Sequence, residues 1–126
     1  MSKILIVEDN EKNLKLVRDI LQFKGYQTLE AETGNEGVRL AIEQVPDLIL
    51  MDIQLPDIDG IEALRLIREN PALDAVPVLA VSASVMPDDK QKIVASGFDA
   101  FISKPINVKQ FIESVQKFLA SGRKSE

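Results

Sequence analysis

Four apolar runs in this 126-residue chain each end at a side chain able to do chemistry. Ile4-Leu5-Ile6-Val7 runs into Glu8-Asp9, Leu48-Ile49-Leu50-Met51 into Asp52, Val78-Leu79-Ala80-Val81 into Ser82, and Phe101-Ile102-Ser103 into Lys104-Pro105. If these runs are parallel strands of one sheet, three carboxylates, a hydroxyl and an amine share one edge. Three carboxylates within a few ångströms repel one another, which raises their pKa values unless a cation is present. An all-oxygen donor set suits Mg²⁺, with Mn²⁺ or Ca²⁺ as substitutes, and a metal held by few carboxylates keeps positions open for phosphate oxygens. One carboxylate can then attack a metal-bound phosphoryl group and form an aspartyl phosphate. Lys104 would offset charge on the phosphoryl oxygens, and Ser82 would donate a hydrogen bond to one of them. Taken singly, each of these residues reads as a helix cap, a turn former or a solvated charge. Their joint occurrence at one strand edge is what points to a site.

The elements that must position them follow from periodicity. Apolar runs alternate with segments of helical period, the pattern of an α/β domain with a parallel sheet. Strands are expected near 3–8, 27–31, 47–52, 76–82 and 99–102, and helices near 11–24, 34–45, 61–69, 87–96 and 107–120. Leu14, Val17 and Leu21 give the first helix an apolar stripe; Phe111, Ile112, Val115, Phe118 and Leu119 do the same for the last. Thr33 with Glu36 and Asp59 with Glu62 have capping-box spacing, Asn107 is placed to cap the last helix, and Gly25 and Gly97 stand where helix C-caps are wanted. Lys104-Pro105 is a candidate cis bond.

Burial sets the expected strand order. Runs 1, 3 and 4 are continuously apolar, as befits strands covered by helices on both faces, whereas Gln27-Thr28-Leu29-Glu30-Ala31 is mixed and the fifth run is short, so both read as edges. With right-handed crossovers the simplest order is 2-1-3-4-5, helices lying on both faces in the flavodoxin-like manner. Winding reverses between strands 1 and 3, and open α/β sheets bind ligands at the carboxyl ends of such a switch point. Glu8, Asp9 and Asp52 all end there.

Composition narrows the chemistry further. The length fits one domain, read as 1–120 with a polar tail at 121–126. With no cysteine and no histidine, the chain cannot build thiolate or imidazole metal sites, His-based triads or disulfides. A net charge of −5 with scattered Lys and Arg argues against a nucleic-acid surface. No signal peptide or membrane span is recognisable, so the cytoplasm is the expected compartment.

The segments ILIVEDN, DLILMDIQLPDIDG, VPVLAVSAS and FISKP, in this order and over essentially the whole length, resemble the receiver domains of two-component response regulators, the CheY-like superfamily. The resemblance implies that Asp52 is the phosphoacceptor, that Asp9 is a direct Mg²⁺ ligand with Glu8 reaching the ion through water, and that the backbone carbonyl of Gln54 completes the protein ligands. It implies that Ser82 and Lys104 contact the phosphoryl oxygens and that Phe101 is the aromatic that changes rotamer when Ser82 moves. Ser82 lacks the methyl of threonine and Phe101 the hydroxyl of tyrosine, both departures from a common version of the pattern. Gln54 and Ser84 hold positions expected to influence hydrolysis of the phosphorylated form.

A histidine kinase or histidine phosphotransfer protein would supply the phosphoryl group. The face formed by helix 4, strand 5 and helix 5 would then engage a downstream protein, with Asp88, Asp89, Lys90, Lys92, Lys109 and Glu113 tuning it. The chain reads as a stand-alone receiver, monomeric or dimerising on phosphorylation, that acts through protein contacts and is not an enzyme beyond its own phosphorylation and dephosphorylation. Three other readings share the architecture. A pseudo-receiver would serve only as a docking module. An aspartate-nucleophile phosphatase usually carries a second aspartate two residues after the nucleophile, where this chain has Gln54. A flavin binder would meet the repelling charge of Glu8 and Asp9 at its phosphate loop.

Overall fold

Alternating side-chain direction along each strand divides the apolar residues between two faces of one sheet. The computed structural model describes residues 2–83 and 87–123, the side chains of residues 87–90 excepted. Five strands, β1 (Lys3–Val7), β2 (Gln27–Ala31), β3 (Leu48–Asp52), β4 (Val78–Ser82) and β5 (Ala100–Ser103), pair in parallel in the order β2-β1-β3-β4-β5. Five helices, α1 (Glu11–Phe23), α2 (Gly34–Gln44), α3 (Gly60–Arg68), α4 (Pro87–Ala95) and α5 (Val108–Ser121), connect or follow them, with a short 3₁₀ turn at Pro71–Leu73 that the periodicity does not announce. Topology and strand order are those expected from burial.

On one face Ile4, Ile6, Leu48, Leu50, Leu79, Val81 and Ile102 pack with Leu14, Val17 and Leu21 of α1 and with Phe111, Val115 and Phe118 of α5. On the other, Leu5, Val7, Ile49, Met51, Val78 and Ala80 pack with Ala41 of α2, Ala63, Leu64 and Ile67 of α3 and Ile93 of α4. Both edge assignments hold, since β2 is buried only at Ala31 and β5 only at Ile102.

Element ends differ from expectation for local reasons. β4 begins at Val78, because Pro77 has no N–H to donate and Val76 is taken up by the preceding turn through its bond to Leu73 O at 3.1 Å. α2 stops at Gln44, where Val45 adopts a left-handed φ of 42°. Thr33 Oγ1 and Asp59 Oδ1 accept from Glu36 N at 3.1 Å and Glu62 N at 2.8 Å as anticipated. The reciprocal halves do not form as in a capping box: Glu36 Oε1 reaches Glu32 N at 3.4 Å, and Glu62 turns to Arg65. Asn107 caps α5 at 3.0 Å through Gln110 N. Gly25 and Gly97 take φ of +89° and +110° past their helices, and the Lys104-Pro105 bond is cis. Ser121 is the last residue of α5, and Arg123 Nη1 donates to Asp74 O at 2.9 Å. Ser84 and the side chains of Asp88, Asp89 and Lys90 lie outside the described residues.

Candidate functional site

Parallel register carries the reactive residues to one end of the sheet. Val7 pairs with Met51, so Glu8 and Asp52 are the next residues on adjacent central strands; Asp52 pairs with Val81 and Ser82 with Ser103, which places Ser82 and Lys104 beside them. The ladder extends past the strand ends, with Glu8 N donating to Ala31 O at 2.9 Å, Ile53 N to Val81 O at 3.3 Å and Lys104 N to Ser82 O at 2.9 Å. Asn10, a cap the sequence reading leaves unnamed, starts α1 directly after the acids by accepting from Lys12 N and Asn13 N at 3.0 and 3.1 Å.

One carboxylate oxygen each of Glu8, Asp9 and Asp52 lies within 4.8 Å of the others. Lys104 Nζ stands 2.7 Å from Glu8 Oε1 and 3.2 Å from Asp52 Oδ2. Glu8 and Asp52 are 4% and 5% exposed, whereas Asp9 faces solvent. Asp52 Oδ1 also accepts from Gln54 N at 3.1 Å, and Glu8 Oε2 from Asn10 N at 3.3 Å.

Burial, together with the hydrogen bond to Asp52 and its charge, pushes the Glu8 carboxyl up to about 7 against the opposing pull of Lys104. Burial acts to lower the pKa of Lys104, but bonding to Glu8 and the charges of Asp52 and Glu8 outweigh it and the ammonium is held above its ordinary value. The cluster thus carries more acid than its one ammonium neutralises. A hard divalent cation fits it, because the donors are all oxygen and a second positive charge would relieve the strain on Glu8. Bound there, such a cation would hold phosphate oxygens beside the buried Asp52 carboxylate.

Ser82 is 1% exposed at the end of β4. Phe101 is half-buried on β5 and packs against the core shared with α2, α3 and α4. Gln54 is exposed in the loop after β3, as are Lys92, Lys109 and Glu113 on their helices.

Three contributors escape the sequence reading. Gly60 begins α3 against the Asp52 backbone, where a Cβ would stand 2.6 Å from Asp52 O and 2.9 Å from Ile53 Cα. Asp57, in the same loop as Gln54, accepts from Gly34 N and Asn35 N at 2.8 Å each. At the opposite end of the sheet, Asp99, 6% exposed, accepts from Val78 N at 2.8 Å and meets Arg68 and Arg123 at 3.5 and 3.6 Å. The DIDG spacing signals Gly60, but nothing local distinguishes Asp57 or Asp99 from a solvated loop acid.

A sequence profile of the family described as Response regulator receiver domain matches residues 4–116. The polar-differentiation response regulator DivK of Brucella ovis is 46% identical over 116 residues, covering 92% of this chain and 94% of that protein. A CheY-like response regulator receiver domain protein from Methanospirillum hungatei superposes with a TM-score of 0.86 at 30% identity, over 96% of this chain and 95% of its own. The receiver domain of sensor histidine kinase PA1611 from Pseudomonas aeruginosa, solved with a magnesium ion coordinated in its active site cleft, gives 0.88 at 31% identity, over 94% and 98%. Among the described residues no helix is long and apolar enough to cross a membrane.

Proposed function

Because the chain belongs to the response regulator receiver domain family and so serves two-component signalling, we propose that it works in the cytoplasm and accepts a phosphoryl group on Asp52 from a phosphohistidine of a histidine kinase or phosphotransfer protein. The observation that carries this reading is the convergence of Asp52, Glu8, Asp9 and Lys104 at the switch point of the sheet, with Lys104 Nζ 3.2 Å from Asp52 Oδ2.

In this reading Glu8, Asp9, Asp52 and the Gln54 carbonyl would hold Mg²⁺, Glu8 through water, with Mn²⁺ or Ca²⁺ as substitutes. Bound there, the ion would supply positive charge to the phosphoryl oxygens. An Asp52 oxygen forms the new bond to phosphorus while the phosphorus–nitrogen bond of the donor breaks, its electron pair staying with the departing imidazole. Lys104 moves from its carboxylate partners toward the phosphoryl oxygens, and Ser82 donates to one of them. Water later cleaves the acyl phosphate and returns the carboxylate.

Switching follows from the same contacts. Ser82 draws toward the phosphoryl group, Phe101 changes rotamer, and the face of α4, β5 and α5 changes its affinity for a downstream protein. A cleft of about 250 Å³ between β5 and α5, lined by Phe101, Ser103, Asn107 and Gln110 among others, supports that face as the output surface. The domain of this reading is residues 1–120, and 121–126 is its tail. The test is phosphoryl incorporation from a phosphorylated histidine donor into the intact chain, compared with Asp52→Asn.

A further inference from the structure

The junction between β2 and α2 bonds to both sides of the acid cluster. On one side, Glu8 N donates to Ala31 O at 2.9 Å as the β1 ladder ends. On the other, three residues further along, the Asp57 carboxylate accepts from Gly34 N through Oδ1 and from Asn35 N through Oδ2, both at 2.8 Å. Residues 31–35 therefore link the segment bearing Glu8 and Asp9 to the loop that carries Gln54.

That link is tight. A Cβ on Gly34 would stand 2.5 Å from Ile58 Cγ1 and 3.1 Å from Ile58 O, so the loop lies directly on the start of α2. The loop is fixed at its other side by Gly60 N, which donates to Ile53 O at 2.9 Å. Gln54, Leu55 and Pro56 span the interval between these anchors. α2 already has a cap of its own in Thr33, whose Oγ1 accepts from Glu36 N. Asp57 satisfies two further free amides at the positive end of the helix from a different segment of chain. Desolvation acts to raise its pKa, yet the backbone N–H groups of Asn35, Ile58 and Gly34 hold it below the usual carboxylate value. The carboxylate form, with an acceptor oxygen for each amide, is the form that makes the tether.

We propose that Asp57 is a positioning residue for the metal site: by clamping the β3–α3 loop to the start of α2, it sets the distance between the Gln54 backbone and the Glu8–Asp9 side of the cluster. This rests on the Mg²⁺ reading above. Asp57 itself touches no carboxylate of the cluster and acts only through the loop.

The experiment is Mg²⁺ titration of the full chain by calorimetry and by backbone amide NMR, with no phosphodonor present. Asp57→Asn keeps the shape but presents an NH₂ to one of the two amides. It and Asp57→Ala are expected to weaken Mg²⁺ binding about tenfold, the scale seen when groups that orient metal ligands are removed. Gly34→Ala improves helix propensity but leaves no room for Ile58, and the same weakening is expected from it. Thr33→Ala removes the helix's own cap and is expected to bind within about twofold of wild type despite a lowered unfolding midpoint.

Asp57 variants that bind Mg²⁺ like wild type would overturn the proposal. So would a Thr33→Ala loss as large as theirs, since the effect would then be general loosening of α2. Wild type that binds no Mg²⁺ at all defeats the metal reading itself, and does so before any variant is compared.

Discussion

Lys104 Nζ donates to Asp52 Oδ2 at 3.2 Å across 52 residues of sequence, and the same ammonium lies 2.7 Å from Glu8 Oε1. One cation thus serves two buried carboxylates, and in the proposed mechanism it must release them to reach a phosphoryl group. Lys104→Ala is expected to permit phosphorylation of Asp52 but to uncouple it from partner binding. The check is a partner-affinity titration with and without phosphorylation; a preserved phosphorylation-dependent gain in affinity would contradict the role. Without metal, the variant is expected to lose about 2 kcal/mol of stability, less than the about 3–5 kcal/mol for a fully buried pair that loses one partner, because Glu8 can take up a proton in response.

The raised Glu8 carboxyl predicts how the metal-free protein responds to pH. Its folded value of about 7 lies above the ordinary 4.5, so between these values the folded state binds more protons than the unfolded state. Stability from this group therefore falls as pH rises through that window. Lys104, held above its ordinary 10.5, remains charged throughout it and adds no opposing slope. Urea midpoints in the presence of a chelator are expected to drop from pH 5.5 to pH 8, and Glu8→Gln is expected to flatten that dependence. An equal slope in both proteins would remove Glu8 as its source.

Asp9 is the exposed member of the acid cluster, so its replacement tests the metal with little disturbance of the core. Asp9→Ala is expected to weaken Mg²⁺ about tenfold or more and to slow both phosphorylation and hydrolysis, while the unfolding midpoint changes little. Calorimetric Mg²⁺ titration decides it, and an unchanged affinity would take Asp9 out of the ligand set.

Gly60 predicts the cost of crowding the backbone of Asp52. A Cβ at Gly60 cannot stand 2.6 Å from Asp52 O, so Gly60→Ala must push α3 or the Asp52–Ile53 peptide aside. Overpacking of this kind costs about 1–3 kcal/mol, against which the better helix propensity of alanine returns at most about 1. Denaturant unfolding measures the balance, and wild-type stability would mean that the helix start yields without strain.

Much of this arrangement is legible in the sequence because each reactive side chain terminates an apolar run. A parallel sheet brings such terminators to one edge, so Glu8, Asp9, Asp52, Ser82 and Lys104 can be grouped from the sequence alone. The mixed polarity of Gln27–Ala31 and the shortness of the fifth run likewise reveal the edges, and thus the strand order. Asp57 and Asp99 are not legible in this way. Asp57 finds its partners 22 and 23 residues upstream, and Asp99 takes the N–H of Val78 from 21 residues away. Such contacts depend on how loops dock after the sheet has formed, and hydrophobic periodicity carries no record of that. The capping boxes fail by half for a related reason: the N-cap oxygen is fixed by the backbone, but a glutamate three residues on is free to choose a nearby arginine, as Glu62 does with Arg65.

Phosphoryl transfer to Asp52 is the step on which every other proposed role depends. Intact mass would be measured after incubation with a small phosphodonor and Mg²⁺, alongside Asp52→Asn and a chelated sample, and repeated with a phosphorylated histidine donor if the first donor is silent. A gain of one phosphoryl group in the wild type, absent from both controls, is the predicted result. Incorporation retained in Asp52→Asn would move the acceptor elsewhere, and no gain from either donor would contradict the phosphoryl-transfer reading and leave the chain a docking module.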